Sequence, residues 1–187
     1  MGTATTLESS EDVVTFLKRQ HEQIKALFAA VLSSRGEART QAFLTLRKML
    51  AVHETAEEEI VHPAARRKLP NGEAIVDQRL QEERKAKTDL AELEKIDVQS
   101  PEFERKLEAL RAEVVTHAEA EERTEFERLG LQLEPAQLTR MRKAVELAEA
   151  VAPTRPHPGV ESAAANVIAG PFASMIDRAR DAISRKS

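Results

Sequence analysis

The chain has 187 residues, 28 Lys and Arg against 32 Asp and Glu, a net charge of −4, and no Cys, Trp or Tyr. That excludes a disulfide framework, a thiolate metal site and a cysteine nucleophile, and it argues against a base-stacking nucleic-acid module. Acids and bases are interleaved, so neither DNA nor an acidic membrane is expected as a partner. No apolar run reaches membrane-spanning length, and residues 1–10 have neither a basic nor an apolar region of the kind a signal peptide needs. A cytoplasmic protein is expected. With only six Gly and much Ala, Leu, Glu, Arg and Lys, it should be all-helical.

Taken in chain order, the first helical pattern covers about 10–33 and stops at Ser33-Ser34-Arg35-Gly36. The second covers about 38–62 and ends at a breaker over 63–72, which holds two prolines and Asn71-Gly72. The third covers about 73–96. The fourth, about 101–129, opens with Ser100-Pro101-Glu102, an N-cap followed by Pro at the first helical position and an acid in the first turn. A fifth pattern covers about 135–151. A sixth takes parts of 160–185 and is interrupted at Gly170-Pro171. Short connections imply antiparallel neighbours. The expected fold is all-α: an antiparallel up-down-up-down four-helix bundle over 1–130, with additional C-terminal helices over 131–187 packing on or beside it.

Each long helix has a core stripe at spacings of three and four. The first reads Val14, Leu17, His21, Ile24, Phe28, Val31. The second reads Leu46, Met49, His53, Glu57, Ile60. The third reads Val76, Leu80, Glu83, Lys87, Leu90, and the fourth Leu107, Leu110, Val114, His117, Glu121, Thr124. Every stripe turns polar near its middle. Charged side chains are rarely buried unless paired or bound to metal, so four coincident lapses need one cause. His21 and His53 lie at similar distances either side of the first turn. Glu57 and Glu83 do so about the second, and Glu83 and His117 about the third, to within about one helical turn at roughly 1.5 Å per residue. The polar positions therefore meet at one level.

A layer of imidazoles and carboxylates between facing helices is a metal-site arrangement. Its N and O ligands suit iron, manganese or zinc, and best suit two metals sharing carboxylates. His53-x-x-x-Glu57 and His117-x-x-x-Glu121 each place two side chains on one face, one turn apart. In each, the imidazole can bind one metal while the carboxylate bridges to a second. His62 lies about 180° around a straight helix from His53, but Pro63 follows it and can re-aim it by disfavouring the α region. It stands as a candidate ligand against the alternative of an exposed His at a helix end.

These motifs resemble the hemerythrin family in its bacterial HHE cation-binding branch, whose pattern is a lone His, His-x-x-x-Glu, a lone His, and His-x-x-x-Glu. Here the matching segments are Gln20-His21-Glu22, then His53-Glu54-Thr55-Ala56-Glu57-Glu58, and later His117-Ala118-Glu119-Ala120-Glu121-Glu122. The resemblance spans about 10–129. Gly170-Pro171-Phe172 and Asp177-Arg178-Ala179-Arg180-Asp181 are similar to tail extensions of some members. It implies a four-helix bundle holding two non-haem iron ions, oxo- or hydroxo-bridged, with manganese and zinc as alternatives. The associated activities are handling of oxygen, peroxide or nitric oxide, and of iron.

The chain departs from that pattern on the third helix, where the lone His is missing and Glu83 takes its position. A carboxylate there makes the site more anionic, favours ferric iron and works against reversible oxygen carriage. Lys87, one turn along, either balances that charge or snorkels outward. Glu58, Glu59 and Glu122 read as solvated, His157 as a loop residue, and Arg140, Arg142 and Lys143 as a solvated face.

The metal ligands expected are His21, His53, Glu57, His62, Glu83, His117 and Glu121. Three readings remain: a di-iron oxidoreductase with modest catalase- or peroxidase-like activity, a non-catalytic iron- or oxygen-binding, storage or sensing module, and a structural bundle with buried ion pairs. The last is disfavoured by the cost of buried charge. The expected partner is a diatomic molecule or a peroxide, since no pattern signals an organic substrate pocket. The chain is expected to be a monomer or weak homodimer.

Overall fold

The computed structural model describes residues 11–152. The sixth helical pattern, Gly170-Pro171, the motif from Asp177 to Asp181 and His157 lie outside the described residues. Among those described, every regular element is helical: α1 (Val13–Ser33), α2 (Gly36–Ala56), α3 (His62–Lys68), α4 (Gly72–Leu93), α5 (Pro101–Glu121), α6 (Glu127–Gln132) and α7 (Pro135–Val151). Two π-helical turns, Glu57–Val61 and Glu122–Phe126, join α2 to α3 and α5 to α6. No helix among the described residues is long and apolar enough to cross a membrane.

The helix starts follow their local chemistry. Asp12 accepts a hydrogen bond from the Thr15 N–H at 2.8 Å, and Ser100 accepts one from the Phe103 N–H at 3.1 Å, each satisfying an amide that the first turn leaves unpaired. Pro63 does not end the second helix as expected; the chain stays helical to Lys68. In regular α geometry the proline ring would press on the carbonyl four residues back. The preceding π turn is wider: the His62 N–H donates to the Glu57 carbonyl five residues earlier, and Pro63 begins the next segment.

α1 packs on α2 and on α5, α4 packs on α5 and on α3, and α7 lies against α1 and α2. Buried apolar side chains fall into two clusters. One gathers Ile24, Phe28, Phe43, Leu46, Phe103 and Leu107 towards the two tight connections. The other gathers Leu17, Ile60, Val76, Phe126, Met141 and Val145. The polar positions of the stripes lie between these clusters.

At the first end, Gly36 adopts a positive φ of 58°, and its N–H and carbonyl pair with the Gln99 side chain at 2.8 and 3.0 Å. The buried Arg39 completes the clasp. It donates to the carbonyls of Ser34 (2.8 Å), Leu32 (3.3 Å) and Val98 (3.3 Å) and to Glu104 at 3.2 Å. One guanidinium thus ties both connections together. Arg39→Ala should cost about 2–3 kcal/mol, because it strands buried carbonyls. Urea denaturation measures the loss, and metal content should be unchanged because the clasp is roughly 20 Å along the helices from His53.

Candidate metal centre

His21 comes from α1, His53 from the end of α2, Glu57 from the start of the first π turn, His62 from α3, Glu83 from α4, and His117 and Glu121 from α5. Glu57 and Glu121 are completely buried, and His21, His53, His62 and Glu83 nearly so. His21 Nε2 lies 3.9 Å from Glu57 and 3.5 Å from Glu121. His53 Nε2 is 3.3 Å from Glu57, and His117 Nε2 is 3.3 Å from Glu121. His62 Nε2 is 2.7 Å from Glu83. Two sets of ligand atoms gather within 4.8 Å: His21, His53, Glu57 and Glu121 in one, and His62, Glu83 and Glu121 in the other. Glu121 belongs to both. Glu57 belongs to the first set alone, and His117 stands against Glu121 but in neither.

The two π turns explain why this differs from a straight-helix reading. At 100° per residue, position 62 would lie roughly 140° from position 57; in a π turn the fifth residue comes back over the first. His62 is thereby carried onto the face of Glu57. The second π turn does the same after Glu121. It turns Glu125 and Phe126 inward in place of Thr124, whose hydroxyl instead donates to the Ala120 carbonyl at 2.7 Å. Glu125 then pairs with His62 Nδ1 at 3.0 Å, and the Phe126 ring stacks on His21 with centroids 5.5 Å apart.

A second layer fixes the imidazoles. His21 Nδ1 meets Glu122 at 2.8 Å, His53 Nδ1 meets the Gln20 amide oxygen at 2.9 Å, and His117 Nδ1 meets Glu82 at 2.9 Å. Each contact leaves Nε2 facing the centre, the arrangement that orients metal-binding histidines. Gln20 in turn donates to Glu149 of α7 at 2.5 Å. Lys87 does not snorkel outward. It is buried, bonded to Glu58 and 3.8 Å from both Glu54 and Glu83. Glu59 and the Glu58 side chain are buried, not solvated, and Glu122 serves His21. Arg142 likewise is no purely solvated residue, since it donates to the Glu11 carbonyl at 3.2 Å. Gln20, Glu82, Glu125 and Glu149 were not foreseen. The adjacency of Gln20 to His21 and of Glu82 to Glu83 is the only signal that could have suggested the first two.

Burial and mutual charge polarise the layer. Burial, with the Glu121 charge beside it, raises Glu57 well above the usual carboxylate range. Burial would raise Glu121 too, but His117 and His21 hold it well below. Glu83 is lowered because His62 outweighs its burial. His62 and His117 are raised well above an ordinary imidazole, against their burial, by Glu83 and Glu121 respectively. Burial, with His21 nearby, drives His53 well below.

His21 Nε2, His117 Nε2, Glu83 Oε2 and both oxygens of Glu57 and Glu121 are buried without a hydrogen-bond partner. Orphaned buried polar atoms are uncommon. Here they converge, and all can donate a lone pair to a cation. The nitrogen and oxygen donor set therefore fits a metal of the iron, manganese or zinc type.

A helical protein with a buried His and Glu cation site is the class these features define. The chain matches the family model of the hemerythrin HHE cation-binding domain over residues 12–129, and it belongs to that family. No curated protein and no solved structure gives a significant match. α7, with Glu149, lies beyond the matched span.

Two outcomes follow from this geometry. Without a cation, His62 and His117 hold protons at neutral pH and burial favours the protonated form of Glu57, so a metal must displace protons to bind. Affinity for zinc or manganese should therefore rise between about pH 6 and pH 8, with proton release visible by calorimetry in buffers of different ionisation enthalpy; a flat affinity would contradict the charge distribution. Glu149→Ala should weaken cation binding about tenfold by freeing Gln20 and so His53, while circular dichroism shows unchanged helix content.

Proposed function

We propose that the protein is a cytoplasmic non-haem di-iron protein, its four long helices forming an antiparallel up-down-up-down bundle, that handles peroxide, oxygen or nitric oxide with modest catalase- or peroxidase-like activity. The observation that carries this reading is the pair of buried ligand sets sharing Glu121. A carboxylate common to two sets is what a two-metal centre requires. His21, His53 and Glu57 would hold one iron, His62 and Glu83 the other, with Glu121 between them and His117 beside it. Bound iron would supply the redox centre for the small oxidant.

The chain's own residues supply position and protons. Glu122, Gln20 and Glu82 hold three imidazoles by Nδ1, so that each offers Nε2. Phe126 covers His21 and keeps water from that side. Glu58, whose carboxyl is raised to about 8 by burial and by the neighbouring Glu83 charge, can hold a proton near Glu83 at neutral pH. Glu57, Glu83 and Glu121 together bring three carboxylates, and Lys87 offsets one. This balance supports ferric iron and peroxide turnover over reversible oxygen carriage.

Iron analysis should find about two atoms per chain, and His53→Ala or Glu121→Ala should remove most of them. Full occupancy in both variants would reject the ligand set. Glu83→His should raise the reduction potential by roughly 60 mV or more, equivalent to a tenfold change in the ferrous-to-ferric ratio. Redox titration measures the shift, and stopped-flow mixing with peroxide measures turnover. Full iron content with no peroxide turnover would select the non-catalytic storage or sensing module.

A further inference from the structure

A cavity of about 430 Å³ runs from the centre to the surface between α4 and α5. Its inner end is formed by His21, His53, Glu83 and His117, and its walls include Ile24, Leu50, Ala86 and Val114. It reaches solvent at Lys85 and Glu113, both exposed and paired to each other across the opening at 2.5 Å. A water molecule takes about 30 Å³ of liquid, and hydrogen peroxide or a diatomic gas is of similar scale. The cavity is instead within the roughly 300–1,000 Å³ range of small-molecule sites. Apolar walls between a polar floor and a neutralised rim suit a compact apolar body with one polar head.

Glu54 decides what that head must be. It is buried on the cavity wall. Its Oε2 has no hydrogen-bond partner, the Lys87 ammonium being 3.8 Å away. It is also absent from both ligand sets, so a cation there would not satisfy it. That oxygen has no exposed surface of its own, so the carboxyl must turn towards the cavity to meet a ligand, and it can then accept from one that donates a hydrogen bond. An anionic head such as a carboxylate would find the nearby ammonium, Lys87, already shared among Glu54, Glu58 and Glu83. A neutral hydroperoxide donates its O–H to Glu54 and still presents its second oxygen to the centre.

We propose that this cavity binds organic hydroperoxides, with the alkyl or aryl body on Ile24, Leu50 and Val114 and the O–OH head between Glu54 and the His53–His117 floor. The choice of a peroxide head rests on the di-iron reading above; the seat for the apolar body rests on the cavity alone.

The test uses cumene hydroperoxide, its unreactive alcohol 2-phenylpropan-2-ol, and cumene, which lacks the polar head. NMR titration should show both unreactive compounds binding the purified protein, with metal bound and after chelation. Ala86→Phe, which fills the cavity, should weaken both at least tenfold with metal content unchanged; with ascorbate supplying the two electrons that reduce cumene hydroperoxide to its alcohol and water, it should also lower consumption of cumene hydroperoxide relative to hydrogen peroxide at least tenfold. Ala112→Phe, at an exposed position on the outer wall, should weaken both compounds in the same direction and serves if Ala86→Phe does not fold. Glu54→Ala should weaken the alcohol at least fivefold and leave cumene unaffected.

If the alcohol does not bind, or binds the filled variants equally well, in a protein that consumes hydrogen peroxide, this proposal fails alone. If the alcohol binds but neither peroxide is consumed by the iron-loaded protein, the peroxide chemistry fails, here and in the functional reading. Equal loss of alcohol and cumene in Glu54→Ala would overturn the role of Glu54.

Discussion

Glu57 and Glu121 lie wholly out of solvent, and none of their carboxylate oxygens has a hydrogen-bond partner. Removing a carboxylate from water costs several kcal/mol unless something inside the protein replaces the lost solvation. The local structure is arranged around that cost. Two apolar clusters lie on either side of the layer, which accounts for the stability the layer itself cannot supply. The nearest groups are imidazoles turned with Nε2 inward, and their other nitrogens are tied to Glu122, Gln20 and Glu82. This outer ring takes up the Nδ1 positions and leaves each Nε2 facing the centre, where His117 must first lose its second proton to offer a lone pair. Ion pairing alone leaves the layer incomplete, because His117 and His62 face Glu121 and Glu83 while both Glu57 oxygens meet no donor.

The same device appears twice on the way to that layer. At the Glu of the first His-x-x-x-Glu, and just after that of the second, the helix opens into a π turn, at Glu57–Val61 and at Glu122–Phe126. The widened turn brings one more residue to the inner face than an α-helix would. In the first copy that residue is His62, and in the second Glu125 and Phe126 move inward; His62 then meets Glu125 across the layer. Such turns weaken helical hydrogen bonding and are found mostly at functional positions. Their recurrence behind both motifs links the irregular backbone to the site, and it also explains how a proline can follow His62 without ending the helix.

The stripes of His21, His53, Glu57, Glu83, His117 and Glu121 were legible in the sequence because a polar residue in a 3.6-residue apolar repeat is conspicuous. Their common height followed from the positions of the turns. The limit was the period itself. A constant 3.6-residue repeat places Thr124 in the core and sends His62 outward; only the two π turns reverse both placements. Glu58 and Glu59 looked like an exposed acidic run, because nothing local announces that Lys87 of α4 covers Glu58. Glu149 was invisible as a site residue for a related reason: its partner, Gln20, is 129 residues away in the chain. The cavity between α4 and α5 arises from side chains that are small where two helices face each other, a relation that no single helix displays.

The two ligand sets are chemically unequal, and on the proposed di-iron reading their inequality bears on how the centre would fill. In the second set His62 already has a carboxylate on each nitrogen, Glu83 at 2.7 Å and Glu125 at 3.0 Å. It is held protonated by them, so this half is close to satisfied as an ion pair. In the first set His53 is driven neutral, and His21 Nε2 and both Glu57 oxygens face no donor. A cation entering the first set would displace only the proton that burial favours on Glu57 and would relieve several orphaned atoms at once. A cation entering the second must remove the proton from His62 Nε2 and break a short hydrogen bond. Glu121 belongs to both sets, so charge placed in the first draws on the carboxylate the second needs. On the di-iron reading the first set would therefore be the natural point of entry, and the second the half whose occupancy would respond most to pH and to the identity of the residue at position 83.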